Sequence, residues 1–440
     1  MTAKTGLIAI ALTSVSQPPP HPPIYIPVRF PFMFIPSPGL LALFNLSTYE
    51  SISALALLIL SVQLPATAIL LSRLFRGLLR RPQLHIAPPT PDLLGKVSVI
   101  VPTLNEAARL SPCLSGLSAQ GYEVREIIIV DSNSVDATPD MVIAQSQRDP
   151  RFRLTTDDPL PPGWVGRPWA LHTGFLRTSP ASQWVLGIDA DTQPQPGLVA
   201  ALVRAAENAQ YDLISLSSQF ILKYPGELWL QPALLITLVY RFGPPDTAPM
   251  TPERVMANGQ CFLCRRSVLE ALNGYTTASN SFCDDVTLAR NAAQKGFRVG
   301  FWDGAALLKV RMYDGFMDTW SGWGRSLDLK DASSTAGLWA DLALLFCCQG
   351  LPILVLTIAL AFGFLFPYHN PIFTWLWRLN AFLFIIRVAL SAAIASSYDF
   401  SQAQAKWVFW LSPLADPLAV LRLFLSATQR PTQWRGRYYG

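Results

Sequence analysis

The sequence predicts an α/β domain built on a mostly parallel sheet, with apolar helices before and after it along the chain. Between residues 95 and 334, short apolar runs alternate with polar loops and helix-like segments, as in a doubly wound sheet. Three of these runs are followed by acidic residues, directly or within five positions. Apolar segments long enough to cross a membrane flank the region, at 51–75 and within 335–396.

The first predicted strand covers residues 97–101 and is followed by Pro102 and a polar loop with Asn105 and Glu106. Leucines 110, 114 and 117 then recur at helical spacing. A second strand over 127–130 ends at Asp131, and a polar loop leads into another helix-like segment. The carboxyl ends of parallel strands share one edge, where ligands of such sheets bind. We therefore expect Glu106 and Asp131 at one edge.

The third strand covers Trp184 to Ile188 and is followed by Asp189, Ala190 and Asp191. Two carboxylates separated by one residue at the mouth of a sheet can share a divalent cation. Mg²⁺ and Mn²⁺ prefer oxygen ligands, often one or two carboxylates plus substrate phosphates. The alternative is a surface loop in which the pattern arises by chance.

Two further groups carry candidate chemistry. Asp284 and Asp285 open a helix-like run over 286–293, and adjacent acids on a helix cannot both face one point. One of them can act as a base while its neighbour orients it; N-capping is the alternative. Arg167 offers a guanidinium fork matched to phosphate, the alternative being an ordinary surface arginine.

These motifs, in this order, resemble the inverting family 2 glycosyltransferases. The resemblance covers about residues 95–330 and implies the GT-A fold, a Rossmann-like nucleotide-sugar-binding domain. The run at 160–171 resembles a membrane-bound branch that acts on polyisoprenoid lipids, including hopene-associated glycosyltransferases and the carotenoid 2'-O-glycosyltransferases of cyanobacterial myxoxanthophyll synthesis. The run at 323–331 is most similar to the carotenoid enzymes.

The resemblance implies a role for each donor-site residue. Glu106 and Asp131 would contact the base or ribose of a nucleotide-sugar, and Arg167 would lie near its phosphates. Asp189 and Asp191 would bind Mg²⁺ or Mn²⁺, with Asp191 the more direct ligand.

The resemblance also implies that Asp285 is the catalytic base. The family usually has Glu-Asp at this motif, and this chain has Asp284 in the first place. Processive members carry Gln-x-x-Arg-Trp further on; here Trp320-Ser-Gly-Trp-Gly-Arg325 departs from that order. Arg325 is still a candidate diphosphate ligand, but the departure argues against processive polymer synthesis.

The composition is that of an integral membrane protein with a large aqueous domain. Of 440 residues, 51% are hydrophobic and 14% charged, which is unusual for a soluble enzyme. Arginines 73, 76, 80 and 81 follow the first apolar segment and predict that the domain after it is cytoplasmic. The net charge of +5 is concentrated beside apolar segments, which favours a membrane surface over nucleic acid as partner.

The remaining segments are predicted as follows. Residues 1–50 form a proline-rich, disordered extension, and 76–94 a basic and proline-rich linker. Two transmembrane helices fill 335–396, and 397–440 hold an interfacial helix with a basic tail, since a third span would place the tail arginines outside. The apolar run at 228–240 suits either a surface helix or a core helix.

The main hypothesis is therefore metal-dependent transfer of a sugar from a nucleotide-sugar to a hydroxyl of a membrane polyisoprenoid, with the 2'-hydroxyl of a myxol-type carotenoid as the favoured acceptor. Arg387, inside the last span, would line the acceptor's route or meet a headgroup, because an unpaired charge there is costly. The alternatives are a hopanoid or other lipid acceptor, a catalytically silent membrane scaffold, and a transporter, which the small number of spans disfavours.

Overall fold

The structure is a computed structural model, and it describes residues 46–81, 83–247, 251–327, 329, 330, 332–361, 370–429, 433, 434, 437 and 438. The predicted proline-rich extension therefore lies almost wholly outside the described residues. So does most of the basic tail.

A seven-stranded sheet organises the middle of the chain, in the order β3-β2-β1-β4-β8-β6-β9. Neighbouring strands are parallel except that β8 runs antiparallel to both β4 and β6. The strands are β1 (Val97–Thr103), β2 (Val124–Asp131), β3 (Phe152–Thr156), β4 (Trp184–Ile188), β6 (Leu213–Ser217), β8 (Cys261–Arg265) and β9 (Val299–Asp303). β4 has the bounds that the sequence predicted.

Helices cover both faces of this sheet because its strands are apolar on both sides. In β1, Val97, Val99 and Val101 belong to one buried cluster, whereas Ile100 belongs to the cluster on the opposite face. A strand that is buried on both faces reads as a continuous apolar run, as in covered parallel sheets. The helices of this domain are α2 (Leu110–Ser118), α3 (Thr138–Arg148), α4 (Gly166–Arg177), α5 (Leu198–Ala209), α7 (Arg266–Ala271) and α8 (Asp284–Gln294).

The sheet order determines where the predicted site lies. β1 pairs with β2 on one side and with β4 on the other. The strands after β1 are therefore added first on one side of it and then on the other. The ends of β2 and β4 consequently flank the end of β1, and Thr103 lies beside Asp131. This is the type of switch point at which open α/β sheets bind ligands.

A second, four-stranded sheet joins the domain to the C-terminal region. Its order is β11-β7-β10-β5, made of β5 (Thr192–Pro194), β7 (Gln219–Ile221), β10 (Leu308–Val310) and β11 (Tyr398–Asp399). Lys309 Nζ and Asp399 Oδ2 are 2.6 Å apart across it. Lys309 and Asp399 lie before and after the apolar segments within 335–396. Both therefore belong to the same sheet as β5, the strand that follows the Asp189–Asp191 loop.

Helix α6 (Pro225–Phe242) lies between the sheet domain and the apolar helices. It packs against α9 (Gly315–Ser326), α10 (Thr335–Leu345), α13 (Asp416–Thr428) and the 3-10 segment Lys406–Ala415. Most of its side chains are buried, which favours the core-helix alternative for the run at 228–240 over a helix on the bilayer surface.

Among the residues that the structure describes, four helical segments are long and apolar enough to cross a membrane by length and composition: Glu50–Leu79, Thr335–Ala361, Pro371–Ser397 and Lys406–Thr428. The first is α1 (Leu46–Phe75) with a short 3-10 continuation. The second joins α10 to α11 (Leu351–Ala361) through a π-helical turn, and the third is α12 (Pro371–Ile394). Many of their large apolar side chains are exposed, including Leu57, Leu64 and Trp375, as expected of helices that contact lipid.

The fourth segment differs from the simple interfacial helix that was expected. It is a ten-residue 3-10 helix, Lys406–Ala415, followed directly by α13. Its length and hydropathy would also allow it to span, so its interfacial position stays a prediction. Arg387 does not line a lipid route: its Nε donates to Asp416 Oδ2 over 2.8 Å, and both side chains are almost fully buried. Because Arg387 is paired with Asp416, its charge does not need a lipid headgroup or a hydrated acceptor route to offset the cost of burial in a span.

Candidate active site

A cavity of about 340 Å³ opens at the carboxyl edge of the main sheet. One half of its wall is polar and contains Asp189, Asp191, Arg167, Asp284 and Asp285. The other half is apolar and comes from β7, α6 and α9, with the side chains of Phe220, Leu235, Leu238 and Trp323. The predicted metal and catalytic residues therefore share one cavity with the helices that adjoin the membrane segments.

Asp189 and Asp191 lie in the tight turn between β4 and β5. The Thr192 N–H and hydroxyl both donate to the Asp189 carbonyl, which fixes this turn. The Asp191 Oδ1 atom is buried and has no hydrogen-bond partner among the described residues. Burial and the neighbouring charge of Asp189 raise the pKa of Asp191 to about 7. A buried carboxylate oxygen without a donor is the environment that a cation would satisfy.

Arg167 connects the two pairs of acids. Its Nε and Nη2 atoms donate to Asp189 Oδ1 at 3.0 and 2.9 Å, and its Nη1 atom donates to Asp284 Oδ2 at 2.5 Å. Nη2 also donates to the carbonyl of Gly259 at 2.8 Å. Burial alone would lower the pKa of Arg167, but the charges of Asp189 and Asp284 raise it, so the guanidinium stays charged.

Asp285 is held by backbone N–H groups. Its Oδ2 accepts from the N–H of Gly259 at 2.5 Å, and its Oδ1 accepts from the N–H of Val286 at 2.9 Å. Both adjacent acids stand at the first turn of α8, but only Asp284 pairs with Arg167. Burial and the charge of Asp284 raise the pKa of Asp285 to about 6. Such a carboxylate is poised for proton transfer near neutral pH.

Glu106 lies in the loop after β1 and Asp131 is the last residue of β2, and neither lines this cavity. Asp131 accepts from the Ser134 hydroxyl at 2.6 Å and from the Ser134 N–H at 2.9 Å. Glu106 is buried, and its N–H donates to the Thr138 hydroxyl. Asn105, with a positive φ of 55°, accepts from the N–H of Val135 and binds the two loops together. The Asp131 carboxylate thus holds the start of the loop after β2, and Asn105 joins that loop to the one after β1.

Arg325 belongs to the last turn of α9, and its side chain lies outside the described residues. Sequence reasoning missed Arg109 as a cavity residue, although it follows Glu106 by one helical turn and its Nε lies 3.7 Å from Glu106 Oε2. Asn258, Gly259 and Gln260 also line the cavity. Any Cβ at position 259 would collide with the guanidinium of Arg167, which explains the glycine.

Residues 98–272 match the model of glycosyl transferase family 2. This match covers the main-sheet strands from β1 to β8, the Asp189–Asp191 turn and Arg167. This region is therefore similar to glycosyl transferase family 2 domains. Its sheet is the GT-A type of nucleotide-binding fold that the resemblance implied, here with apolar helices of spanning length on both sides.

The proteins similar to the chain include two curated relatives and one solved structure. The 4,4'-diaponeurosporenoate glycosyltransferase of Staphylococcus haemolyticus is 26% identical over 54% of this chain and 62% of its own length. An undecaprenyl-phosphate 4-deoxy-4-formamido-L-arabinose transferase of Serratia proteamaculans is 32% identical over 28% and 36%. A mannosyltransferase of Pyrobaculum calidifontis, solved with GDP-Man and Mn²⁺, is 20% identical, covers 86% of this chain and 97% of its own, and has a TM-score of 0.47.

The site residues fit a divalent cation on their own chemistry. Asp191 contributes a buried oxygen without a donor, and Asp189 lies in the same turn with a partly exposed carboxylate. Within the described residues, no group of three or more His, Cys, Asp or Glu side chains is arranged to hold a metal. Two carboxylates that leave further positions to substrate phosphates and water are the arrangement that Mg²⁺ commonly uses.

Proposed function

We propose that the protein is a glycosyltransferase that moves a sugar from a nucleotide-sugar to a hydroxyl group of a membrane-dissolved lipid. The observation that carries this proposal is the single cavity in which Asp189, Asp191 and Asp285 face an apolar wall from α6. A soluble acceptor has no need of that wall. Helix α6 in turn packs against helices of spanning length, which supports delivery of the acceptor from the bilayer.

The polar half of the cavity is the proposed donor site. Asp189 and Asp191 would hold a divalent cation, whose charge offsets the developing charge of the nucleoside diphosphate leaving group. Arg167 lies beside Asp189 and is oriented by three acceptors, so its guanidinium is fixed where the phosphates would lie. We propose that Glu106 and Asp131 stabilise the loops around the nucleoside, and Arg325 is kept as a candidate phosphate ligand.

Asp285 is the proposed base. As the acceptor oxygen bonds to the anomeric carbon, the bond from that carbon to the diphosphate oxygen breaks on the opposite face, and the hydroxyl proton passes to Asp285. Its two backbone donors fix the carboxylate plane. Asp284 is engaged by Arg167 and is therefore a positioning residue rather than the proton acceptor.

A carotenoid is the acceptor class that we favour. The chain resembles carotenoid glycosyltransferases at residues 323–331, and the staphylococcal relative is named for diaponeurosporenoate, a carotenoid acid. The chain spans only 62% of that relative's length, so the carotenoid acceptor is a proposal. In its most specific version, the sugar is transferred to the 2'-hydroxyl of a myxol-type carotenoid. A hopanoid is the alternative within the same activity. The retained acids argue against a silent scaffold.

The test uses the purified full chain in nanodiscs with Mg²⁺ or Mn²⁺ and a panel of nucleotide-sugars. The acceptors are a hydroxylated carotenoid, a hopanoid polyol and soluble sugars, and products are identified by mass. We expect glycosylated carotenoid. Transfer to soluble sugars alone would reject the lipid acceptor, and no transfer with any pair would reject the activity.

A matched pair of variants tests the apolar wall. Leu238→Ala shortens a side chain that lines the cavity, and we expect a higher KM for the lipid with an unchanged KM for the donor. Leu176→Ala, at an exposed position of α4, is the control and should change neither constant. Equal constants in all three proteins would contradict the placement of the acceptor against α6.

A further inference from the structure

Four arginines gather around one carboxylate where the apolar helices join the sheet domain. Asp341 in α10 receives Arg254 Nη1 at 3.0 Å, Arg241 Nε at 3.3 Å and Arg73 Nη1 at 3.5 Å. Arg290 in α8 completes the set, because the guanidiniums of Arg241, Arg254 and Arg290 all lie within 5.7 Å of the Phe242 ring. We call these four arginines the guanidinium cluster.

The cluster has more positive charge than its partners neutralise. Within the described residues, Arg73, Arg241 and Arg254 all form their ion pairs with the single carboxylate of Asp341, and Arg290 forms none. The one further carboxylate close enough to affect Arg290 among these residues, Glu253, is exposed to solvent. The Arg241 side chain is fully buried, yet its Nη1 and Nη2 have no hydrogen-bond partner in the described structure. The Nη2 of Arg290 is in the same state. Buried charged donors without an acceptor are costly, so the arrangement calls for an additional anion.

The pKa values of the cluster agree with this crowding. Burial, followed by the charges of Arg241 and Arg254, lowers the pKa of Arg290 to about 10. Burial also lowers the pKa of Arg241, against the opposing charge of Asp341. An anion among the guanidiniums would relieve both effects.

The position of the cluster indicates where that anion comes from. Arg73 lies in the last turn of α1 and Asp341 in the second turn of α10, so the cluster stands at the domain-side ends of two helices of spanning length. The side chains of Arg73 and Arg254 remain 20% and 27% exposed and give the cluster an opening. A group that reaches it is therefore at the depth of lipid headgroups if these helices span the membrane.

We propose that the guanidinium cluster is a binding site for a phosphate group. Phosphate oxygens match the planar, bidentate donor geometry of guanidinium groups, and the unpaired Nη atoms of Arg241 and Arg290 supply such donors. The phosphate has two sources with the same chemistry, an anionic phospholipid headgroup and dissolved phosphate. The site is separate from the donor cavity, since none of the four arginines lines it.

Occupation of the cluster has a structural route to the catalytic helix. Arg290 lies on α8, the helix that begins with Asp284 and Asp285, and its Nε donates to the carbonyl of Val255 at 3.0 Å. Four positions after Val255 is Gly259, whose N–H donates to Asp285 Oδ2. A phosphate on Arg290 and Arg254 would thus brace both segments that position the proposed base.

The test measures thermal unfolding of the full chain in nanodiscs, a readout that needs no transfer activity. Phosphatidylcholine discs are compared with discs that also contain phosphatidylglycerol, and inorganic phosphate is titrated into phosphatidylcholine discs at constant ionic strength. We expect one of these ligands to raise the unfolding midpoint by about 3 °C. A rise with phosphatidylglycerol alone identifies a headgroup, and a rise with phosphate identifies the dissolved ion.

Arg254→Gln and Arg73→Gln each remove one partly exposed member of the cluster and should abolish the rise. Arg80→Gln is the matched control, because Arg80 is an exposed arginine shortly after Arg73 that lies outside the cluster, and it should keep the full rise. Absence of a rise with both ligands in the wild-type protein would overturn the proposal. So would an equal rise in the wild type and in both cluster variants.

Discussion

Replacing Asp285 by Asn tests the proposed base most directly. The substitution keeps the shape of the side chain but removes its ability to take a proton. Because a positioned general base contributes about 10² to 10⁴ in rate, turnover should fall by that factor, or about 2.7 to 5.4 kcal/mol of barrier. Donor affinity should stay near the wild-type value, since Arg167 and Asp189 do not contact this side chain.

The structure allows the cost to folding to be separated from the cost to chemistry. Asp285 accepts one backbone N–H on each oxygen, and an amide keeps a single acceptor oxygen. The variant therefore leaves one backbone N–H without an acceptor and facing the side-chain NH2, which costs about 1–3 kcal/mol of folding free energy. That cost lowers the unfolding midpoint, whereas the loss of the base lowers the turnover of the folded protein, so the two effects are measured separately.

The assay combines turnover at saturating acceptor with donor affinity measured by titration calorimetry. Asp284→Asn is the informative partner, because it removes the negative charge that pairs with Arg167 and should weaken donor binding while turnover at saturation survives. Asp140→Asn, at an exposed position of α3, is the neutral control. If Asp285→Asn lowered donor affinity as steeply as turnover, or kept most of its activity, Asp285 would not be the base.

Three other predictions concern the cation, the proton and the membrane helices. Asp191→Asn should abolish metal-dependent donor binding, measured by calorimetry with Mn²⁺, with an unchanged unfolding midpoint; activity that survives a chelator would contradict the assignment. Because burial raises the pKa of Asp285 to about 6, the deprotonated form that acts as a base is lost as pH falls through 6. The value of kcat/KM should therefore drop about tenfold per pH unit below 6 and level off above it. A flat profile down to pH 5 would contradict this. Arg387→Leu leaves Asp416 buried without its partner and should lower the free energy of unfolding by about 3–5 kcal/mol. The double variant Arg387→Leu/Asp416→Leu should recover much of that loss. A double variant as unstable as the single one would show that the pair itself is needed.

Local patterns were enough to predict the framework of the site. The strand at Trp184–Ile188 and the acids after it follow from a short apolar run that ends in a polar turn. The shared edge of Glu106, Asp131 and Asp189 follows from the alternation of strands and helices. In each case the relevant residues are neighbours in sequence, so spacing alone carries the information.

The remaining features depend on contacts between distant residues. Arg167 reaches Asp284 across 117 positions, and Gly259 meets it from the turn before the antiparallel strand β8. The partner of Arg387 lies in the segment that the sequence assigned to the interface. The apolar run at 228–240 could not be resolved by periodicity, because a helix buried between two layers is apolar on most sides.

The cavity of the proposed donor site and the guanidinium cluster both carry unbalanced charge. Five aspartates and two arginines line the donor cavity, a formal charge of −3 when all are ionised, so a nucleoside diphosphate would be repelled unless a cation entered with it. The guanidinium cluster has the opposite imbalance. Helix α8 joins the two, with Asp284 and Asp285 at its start and Arg290 in its second turn. Each site therefore gains from a ligand of opposite charge, and one rigid helix lies between them.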